Sequence, residues 1–367
     1  MMLSSPVTQY GKYTLMVMAG GTGGHVYPAV AVADALKAKG WNIVWLATEG
    51  GMENRLIEGK GYQKAMIAMR GVRGKGLLGW LSLPAKLATA FWQSYRAIRT
   101  HKPDVLLGMG GFAAFPGGFM GKLVGKPLVI HEQNSIAGLT NKVLSVLADR
   151  VLVAFPNVLE PKGRLVGNPV RGVFHNLASP QDRYSKHEGA LKLLIVGGSL
   201  GAAALNDVLP KALALLPKES RPQVIHQAGE KHIETLLDNY RAAGVEAETK
   251  AFIHDMAEVY QWADLVICRA GALTVAELAC VGVASVLVPF PHAVDDHQTT
   301  NAKFLANAGA AMLVQQTEFT VAKAAEILRE LNRESCLAMA KKARALAKPE
   351  ATEIVANICI EAALLGA

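Results

Sequence analysis

The sequence predicts an α/β protein built from two Rossmann-like domains, each on a parallel sheet. Three observations carry that prediction. Short apolar runs of strand character alternate with helix-like segments along the whole chain, the pattern of repeated βαβ units. A strand followed by a glycine-rich turn and a helix opens at Gly20 and again at Gly197. The length of 367 residues suits about two domains at roughly 150 residues each.

Taken in order, Tyr13–Met18 reads as the first strand. Gly20-Gly21-Thr22-Gly23-Gly24-His25 follows as the turn, and an Ala/Val-rich helix runs to Lys39, where Gly40 stops it. Trp41–Ala47, Val105–Leu107, Leu128–Ile130 and Val151–Val153 continue as strands. The second series begins with Leu191–Val196, the turn Gly197-Gly198-Ser199-Leu200-Gly201-Ala202 and another helix. Val224–His226, Leu265–Cys268 and Ser285–Val288 then read as strands. The polar stretch Gly167–Gly189, with Pro169 and Pro180, reads as a linker. The domains are therefore expected at 1–168 and 169–347, with 348–367 a C-terminal helix crossing back to the first.

Composition excludes several classes. Hydrophobic residues make up 51%, charged residues 19%, and mean hydropathy is +0.22, which rules out a disordered chain. Cys268, Cys280, Cys336 and Cys359 form no Cys-x-x-Cys pair and read as free thiols in a reducing compartment. The uncharged stretches 105–121 and 278–294 fall short of the ~20 residues a spanning helix needs and are broken by Gly and Pro. No signal-peptide pattern is present.

Charge is unevenly placed. Through residue 170 the chain carries 19 Lys+Arg against 8 Asp+Glu, and the remainder 19 against 22. Residues 59–103 contain no acid, yet carry Arg73, Lys75 and Lys86 among nine cations, interleaved with Leu77, Leu78, Trp80, Phe91 and Trp92. Cations mixed with Leu and Trp suit an anionic lipid surface. A solvated basic face over a helix whose Leu87, Phe91, Tyr95 and Ile98 pack inward is the bland alternative. Nucleic acid is a third, but no recognition-helix or RNP-like pattern supports it.

A glycine turn between strand and helix lets a ligand approach backbone N–H groups at a helix N-terminus, where the dipole favours phosphate. The dinucleotide pattern G-x-G-x-x-G fails at Val26, and no Gly-Lys-Ser/Thr exists for a P-loop. Two such turns point to phosphorylated ligands in a cleft between the halves. His25 stands where the first helix should begin, a position that keeps an imidazole neutral and suits a general base. A locally hydrogen-bonded histidine without a chemical role is the alternative.

Five runs occur in a fixed order: Gly20–His25; His131-Glu132-Gln133-Asn134-Ser135-Ile136-Ala137-Gly138; Gly167-Asn168-Pro169-Val170-Arg171; Gly197-Gly198-Ser199 with Gly201-Ala202; and Arg269-Ala270-Gly271 followed by Ala272, Leu273, Thr274, Val275, Ala276 and Glu277. Together they resemble the MurG family of peptidoglycan N-acetylglucosaminyltransferases, from about residue 13 to the C-terminus.

The resemblance implies a GT-B fold, two parallel-sheet domains facing across a cleft. The lipid acceptor would bind the N-terminal half and UDP-N-acetylglucosamine mainly the C-terminal half. Thr22, Gly23 and Gly24 would reach the donor, with His25 as the base and Glu132 as the fallback. Asn134 would contact the transferred sugar, and Arg171 and Ser199 the diphosphate, which suits the bidentate bonds of arginine to phosphate. Ile253 would line the uracil site, the run Ala272–Glu277 would wrap sugar and nucleoside, with Glu277 on the ribose, and Gln298 would bond the sugar. The chain departs from the family at Leu200, where glutamine is frequent, and at His297, which replaces one of a glutamine pair.

The implied reaction is inverting transfer of N-acetylglucosamine to the C4 hydroxyl of N-acetylmuramic acid in lipid I, giving lipid II for peptidoglycan synthesis. No Asp-x-Asp occurs, so neither a dedicated metal site nor a tightly bound cofactor is expected. A divalent cation carried on the nucleotide stays open. The expected partners are UDP-N-acetylglucosamine, lipid I, an anionic membrane surface and other cell-wall synthesis proteins, not nucleic acid. The expected location is peripheral, on the cytoplasmic face of the inner membrane. A 2-epimerase of the same architecture and a basic nucleic-acid binder are the competing readings.

Overall fold

The computed structural model describes residues 13–68, 83–198 and 201–366. The chain divides into two compact units, 1–171 with 349–367, and 172–348. Each holds one all-parallel sheet with helices on both faces, as the alternating pattern predicts.

In the first unit the strands are β1 (Thr14–Ala19), β2 (Asn42–Thr48), β3 (Gln63–Ile67), β4 (Val105–Gly110), β5 (Leu128–Glu132), β6 (Arg150–Val153) and β7 (Gly163–Leu165). They are ordered β3-β2-β1-β4-β5-β6-β7. β1, β4 and most of β2 are buried along nearly their whole length, the continuous apolar run expected of strands covered on both faces. The helix Gly23–Ala38 packs one face together with the C-terminal helix Ala351–Leu365, whose Val355, Ala356 and Cys359 join the same core as Val26, Ala29 and Trp45. Lys39 closes the contact from outside with an ion pair to Glu353 at 2.6 Å. The opposite face is covered through Ile98, Ala114 and Leu144 of the helices Leu83–His101, Ala114–Leu123 and Leu139–Leu147.

The second unit holds β8 (Lys192–Val196), β9 (Gln223–Gln227), β10 (Glu248–Lys250), β11 (Leu265–Cys268), β12 (Ala284–Leu287) and β13 (Met312–Leu313), ordered β10-β9-β8-β11-β12-β13. The stretch read as a linker is largely part of this unit. Pro180–Tyr184 is a helix capped by Ser179, and Phe174, Arg183 and Tyr184 are buried. The four cysteines are free and buried, as expected of thiols that pack rather than pair.

In both sheets the strand order reverses next to the glycine turn, at β1/β4 and at β8/β11. Open parallel sheets bind ligands at the carboxyl ends of the strands at such a switch point.

Candidate active site

At the β1/β4 switch, Thr22 stands at the N-cap of the helix Gly23–Ala38 with extended backbone (φ −141°) and no side-chain cap bond. The first-turn amides of such a helix have no intrahelical acceptor, so Thr22, Gly23 and Gly24 offer donors at an exposed turn. The register between β1 and β4 shifts at Met18/Ala19, and Gly110 and Gly111 both take left-handed backbone (φ 97° and 88°). A side chain could not sit there: a Cβ on Gly111 would lie 2.4 Å from the Gly20 oxygen. His25 lies against this pair. Its Nδ1 is 3.0 Å from the Gly20 oxygen, and a Cβ on Gly110 would be 3.1 Å from Nε2. Arg171 joins the same helix end, its guanidinium 5.9 Å from the centre of the Tyr27 ring.

Next along the sheet, β5 ends in His131 and Glu132, both buried. His131 bonds the Gly167 carbonyl through Nε2 at 2.9 Å and Gln133 through Nδ1 at 3.1 Å. Burial lowers its pKa to about 4 despite the helping carbonyl and Glu132; it is a neutral positioning group. Glu132 accepts from the Asn134 amide at 3.0 Å, Asn134 Nδ2 at 3.3 Å, the Gly138 amide at 3.1 Å and Asn141 Nδ2 at 2.9 Å. The carboxylate thereby shapes the loop that carries Asn134.

In the second unit Gly198 and Gly201 take left-handed backbone (φ 80° and 76°), and a Cβ on Gly201 would meet the Ala228 oxygen at 2.3 Å. Ser199 lies outside the described residues. Gln227 Nε2 donates to Gly198 O at 3.0 Å. The helix Ala203–Ala214 is fixed by Asn206, which donates to Ala228 O at 3.1 Å and faces His226 Nε2 at 3.0 Å. His226, made neutral by burial that lowers its pKa to about 3, bonds the Tyr240 hydroxyl at 2.9 Å.

Across the β8/β11 switch, Gly271 opens the helix Ala272–Val281 without a side-chain cap. Leu273, Thr274 and Ala276 are partly exposed. Val275 is fully buried in the core, and Ala272 is buried as well. Glu277 is buried, 3.5 Å from the Tyr260 hydroxyl. Arg269 donates to Val288 O and Pro289 O at 3.1 Å each and to Gln316 at 2.7 Å. It thus fixes the segment whose Phe290 amide donates to Gln298 Oε1 at 2.9 Å. Just before Gln298, Asp295 and Asp296 are both left-handed (φ 53° and 50°), strain of the kind kept at functional turns. Ile253 is buried.

The structure therefore gathers Thr22–His25, Arg171, Glu132 and Asn134 in one unit, and Ile253, the 272–277 helix and Gln298 in the other. Sequence reasoning missed Tyr27, Gln227 and Glu53. The Gly110-Gly111 pair was the visible signal for the first switch point; nothing local marks the other three. Among the described residues no His/Cys/Asp/Glu group could hold a metal ion, and no helix is long and apolar enough to cross a membrane. Of the expected lipid-facing residues, Lys86 is exposed, while Arg73, Lys75, Leu77, Leu78 and Trp80 lie outside the described residues.

Comparison with known proteins follows the two-unit division. Residues 15–153 match the N-terminal domain of glycosyltransferase family 28 and residues 192–358 its C-terminal domain. A protein of Dechloromonas aromatica named UDP-N-acetylglucosamine–N-acetylmuramyl-(pentapeptide) pyrophosphoryl-undecaprenol N-acetylglucosamine transferase is 57% identical over 350 residues, 95% of this chain and 99% of its own length. The crystal structure of Acinetobacter baumannii MurG superposes with a TM-score of 0.84 at 42% identity, covering 95% of this chain and 99% of its own. A Neisseria meningitidis UDP-GlcNAc 2-epimerase bound to UDP-GlcNAc shares the fold alone, with a TM-score of 0.64 at 11% identity, 96% of this chain and 100% of its own covered.

Proposed function

The chain belongs to glycosyltransferase family 28, among the transferases named MurG, and from that membership we propose how its residues divide the reaction. It transfers N-acetylglucosamine from the UDP-linked donor to lipid I, forming lipid II. The observation that carries the division of labour is the placing of His25, at the β1/β4 switch with Nδ1 against Gly20 O.

With Nδ1–H donated to that carbonyl, Nε2 is the basic nitrogen. It takes the proton of the C4 hydroxyl of N-acetylmuramic acid as the oxygen attacks C1 of the donor sugar, on the face opposite UDP. The C1–O bond to UDP breaks and the configuration inverts from α to β. Negative charge grows on the leaving diphosphate, and preorganised donors there stabilise the transition state most. Arg171, Ser199 and the amides of the second glycine turn take this role. Glu277 accepts from the ribose hydroxyls, Ile253 lines the uracil site, and Asn134 and Gln298 hold the sugar. A divalent cation carried on the nucleotide, where one is bound, would add to this charge stabilisation.

The acceptor is lipid-borne, so the chain docks peripherally on the cytoplasmic face of the membrane. Exposed Lys86 and Trp92 support this, as does an exposed stripe of Leu139, Val143 and Val146 on the helix Leu139–Leu147.

The decisive experiment incubates the enzyme with radiolabelled UDP-N-acetylglucosamine and a lipid I analogue. Label in the lipid, β-linked, is the expected result. Epimerised nucleotide sugar, or no transfer by a folded preparation, would overturn the reading.

A further inference from the structure

We infer that the buried carboxylate of Glu53 sets the tautomer of His25 through the Gly20–Gly21 peptide, making Glu53 a positioning residue for the transfer. The role in catalysis rests on His25 being the base.

Glu53 opens a single-turn helix behind the first glycine turn and is fully buried. Its hydrogen bonds come from neutral groups. The Thr48 amide and hydroxyl donate to Oε1 at 2.8 and 2.6 Å, and the Gly21 amide to Oε2 at 3.4 Å. A carboxylate taken out of water is costly unless such bonds compensate it. The chain also gives up two side chains to house this one: a Cβ on Gly20 would sit 3.0 Å from the carboxyl atoms, and one on Gly51 2.2 Å from Oε1. The pocket is shaped around the charge.

The Gly21 N–H and the Gly20 C=O belong to the same peptide unit. The N–H points to Glu53, and the C=O faces His25 Nδ1 at 3.0 Å. Carboxylate, peptide and imidazole therefore form one chain of hydrogen bonds. Bonds in series polarise one another, and negative charge at the N–H end makes the carbonyl a stronger acceptor. That favours the tautomer with hydrogen on Nδ1 and the lone pair on Nε2. When Nε2 takes the acceptor proton, the same chain of hydrogen bonds stabilises the positive charge on the ring. A carboxylate bonded directly to histidine does this in hydrolase triads; here a peptide bond stands between. At the second glycine turn a neutral amide, Gln227, donates to Gly198 O at 3.0 Å.

Glu53→Gln keeps the shape and removes the charge. Glu53→Asp keeps the charge but draws it back from Gly21 by one methylene, and it serves if the glutamine variant does not fold. The full-length chain with 15N-labelled histidine reports the tautomer directly. We expect the Nδ1–H form of His25 to fall in the order wild type, Asp, Gln. The kcat should fall about tenfold or more in Glu53→Gln with both KM values within about threefold, since only the proton-transfer step is weakened. An unchanged tautomer in both variants overturns the inference, whatever the activity. A shifted tautomer beside a fully active His25→Ala enzyme overturns the base assignment instead, and with it any part for Glu53 in the transfer.

Discussion

The side-chain amide of Asn141 donates to the Glu132 carboxylate at 2.9 Å and ties the end of β5 to the first turn of the following helix. With Asn134 and Gly138 also donating, both carboxylate oxygens are engaged within their own loop. A general base needs a lone pair free for the incoming proton, and this geometry makes Glu132 an organiser of the Asn134 loop. Glu132→Gln would turn an NH2 group toward backbone and side-chain donors, at a cost of roughly 1–3 kcal/mol. The expected outcome is a lower urea midpoint and reduced kcat with an unaltered pH–rate profile. A variant of full stability that loses the acidic limb would make Glu132 the base after all.

Glu277 lies buried on the helix Ala272–Val281, so its ribose contact would be desolvated and present in ground and transition states alike. Glu277→Ala should therefore raise the donor KM by about tenfold or more and change kcat much less. Steady-state kinetics with varied UDP-N-acetylglucosamine check this. Unchanged donor KM in a folded variant removes the assignment.

Arg171 is proposed to act on charge that develops only as UDP leaves. Arg171→Ala should lower kcat by on the order of 10²-fold, the loss typical of one oxyanion donor. Tyr27, whose ring underlies the guanidinium, orients it through a contact of about 0.5–1 kcal/mol. Tyr27→Leu should accordingly lower kcat only about two- to fivefold. If Tyr27→Leu is as damaging as Arg171→Ala, the ring has a direct part in binding.

Two buried histidines set the acid side of stability. Burial lowers His131 from its usual 6.5 to about 4 and His226 to about 3. The unfolded chain takes up these protons near 6.5 while the folded chain refuses them. Their contribution to stability is thus present above pH 6.5 and lost as pH falls from there toward 4 and 3. The loss over that window is on the order of 3 to 5 kcal/mol per site. One histidine lies in each unit, so both units should show falling urea midpoints between pH 7.5 and 4.5. Midpoints that stay level would mean the rings are charged in the folded state.

How much of this was legible in the sequence depended on whether the signal was local. The two glycine turns and His25 could be read because strand, turn and helix follow one another in the chain. The edge strands could not: β3 (Gln63–Ile67), β7, β10 (Glu248–Lys250) and β13 are short and largely exposed or half-buried, because an edge is covered on fewer sides. The polar Gly167–Gly189 stretch misled for a related reason. Arg183 looks like a surface residue, yet its guanidinium is buried against the carbonyls of Val281 and Gly282 at the end of a distant helix. Glu53 is the extreme case, its burial depending on side chains missing at Gly20 and Gly51.

Membrane docking can be tested on two surfaces separately. The acid-free 59–103 stretch supplies Arg73, Lys75 and Lys86 with Leu77, Leu78 and Trp80, and the helix Leu83–His101 within it exposes Trp92 at 59%. The helix Leu139–Leu147 adds Leu139 at 78% and Val146 at 72% exposed, spaced to share one face. Lys142 is exposed between them, and Lys162 reaches the carbonyls of Ser145 and Val146 at 3.1 Å each. Each cation near an anionic surface contributes about 1 kcal/mol, so reversing Arg73, Lys75 and Lys86 to glutamate should weaken binding to phosphatidylglycerol vesicles more than tenfold. The loss should shrink as salt rises. Leu139→Ser with Val146→Ser should weaken binding at all salt concentrations, because it removes insertion and leaves charge alone. Activity on a short-chain, water-soluble acceptor should survive the triple charge reversal. Vesicle co-sedimentation equal to wild type in the triple variant would remove the basic stretch from the docking face, and the same result in the double variant would remove the helix.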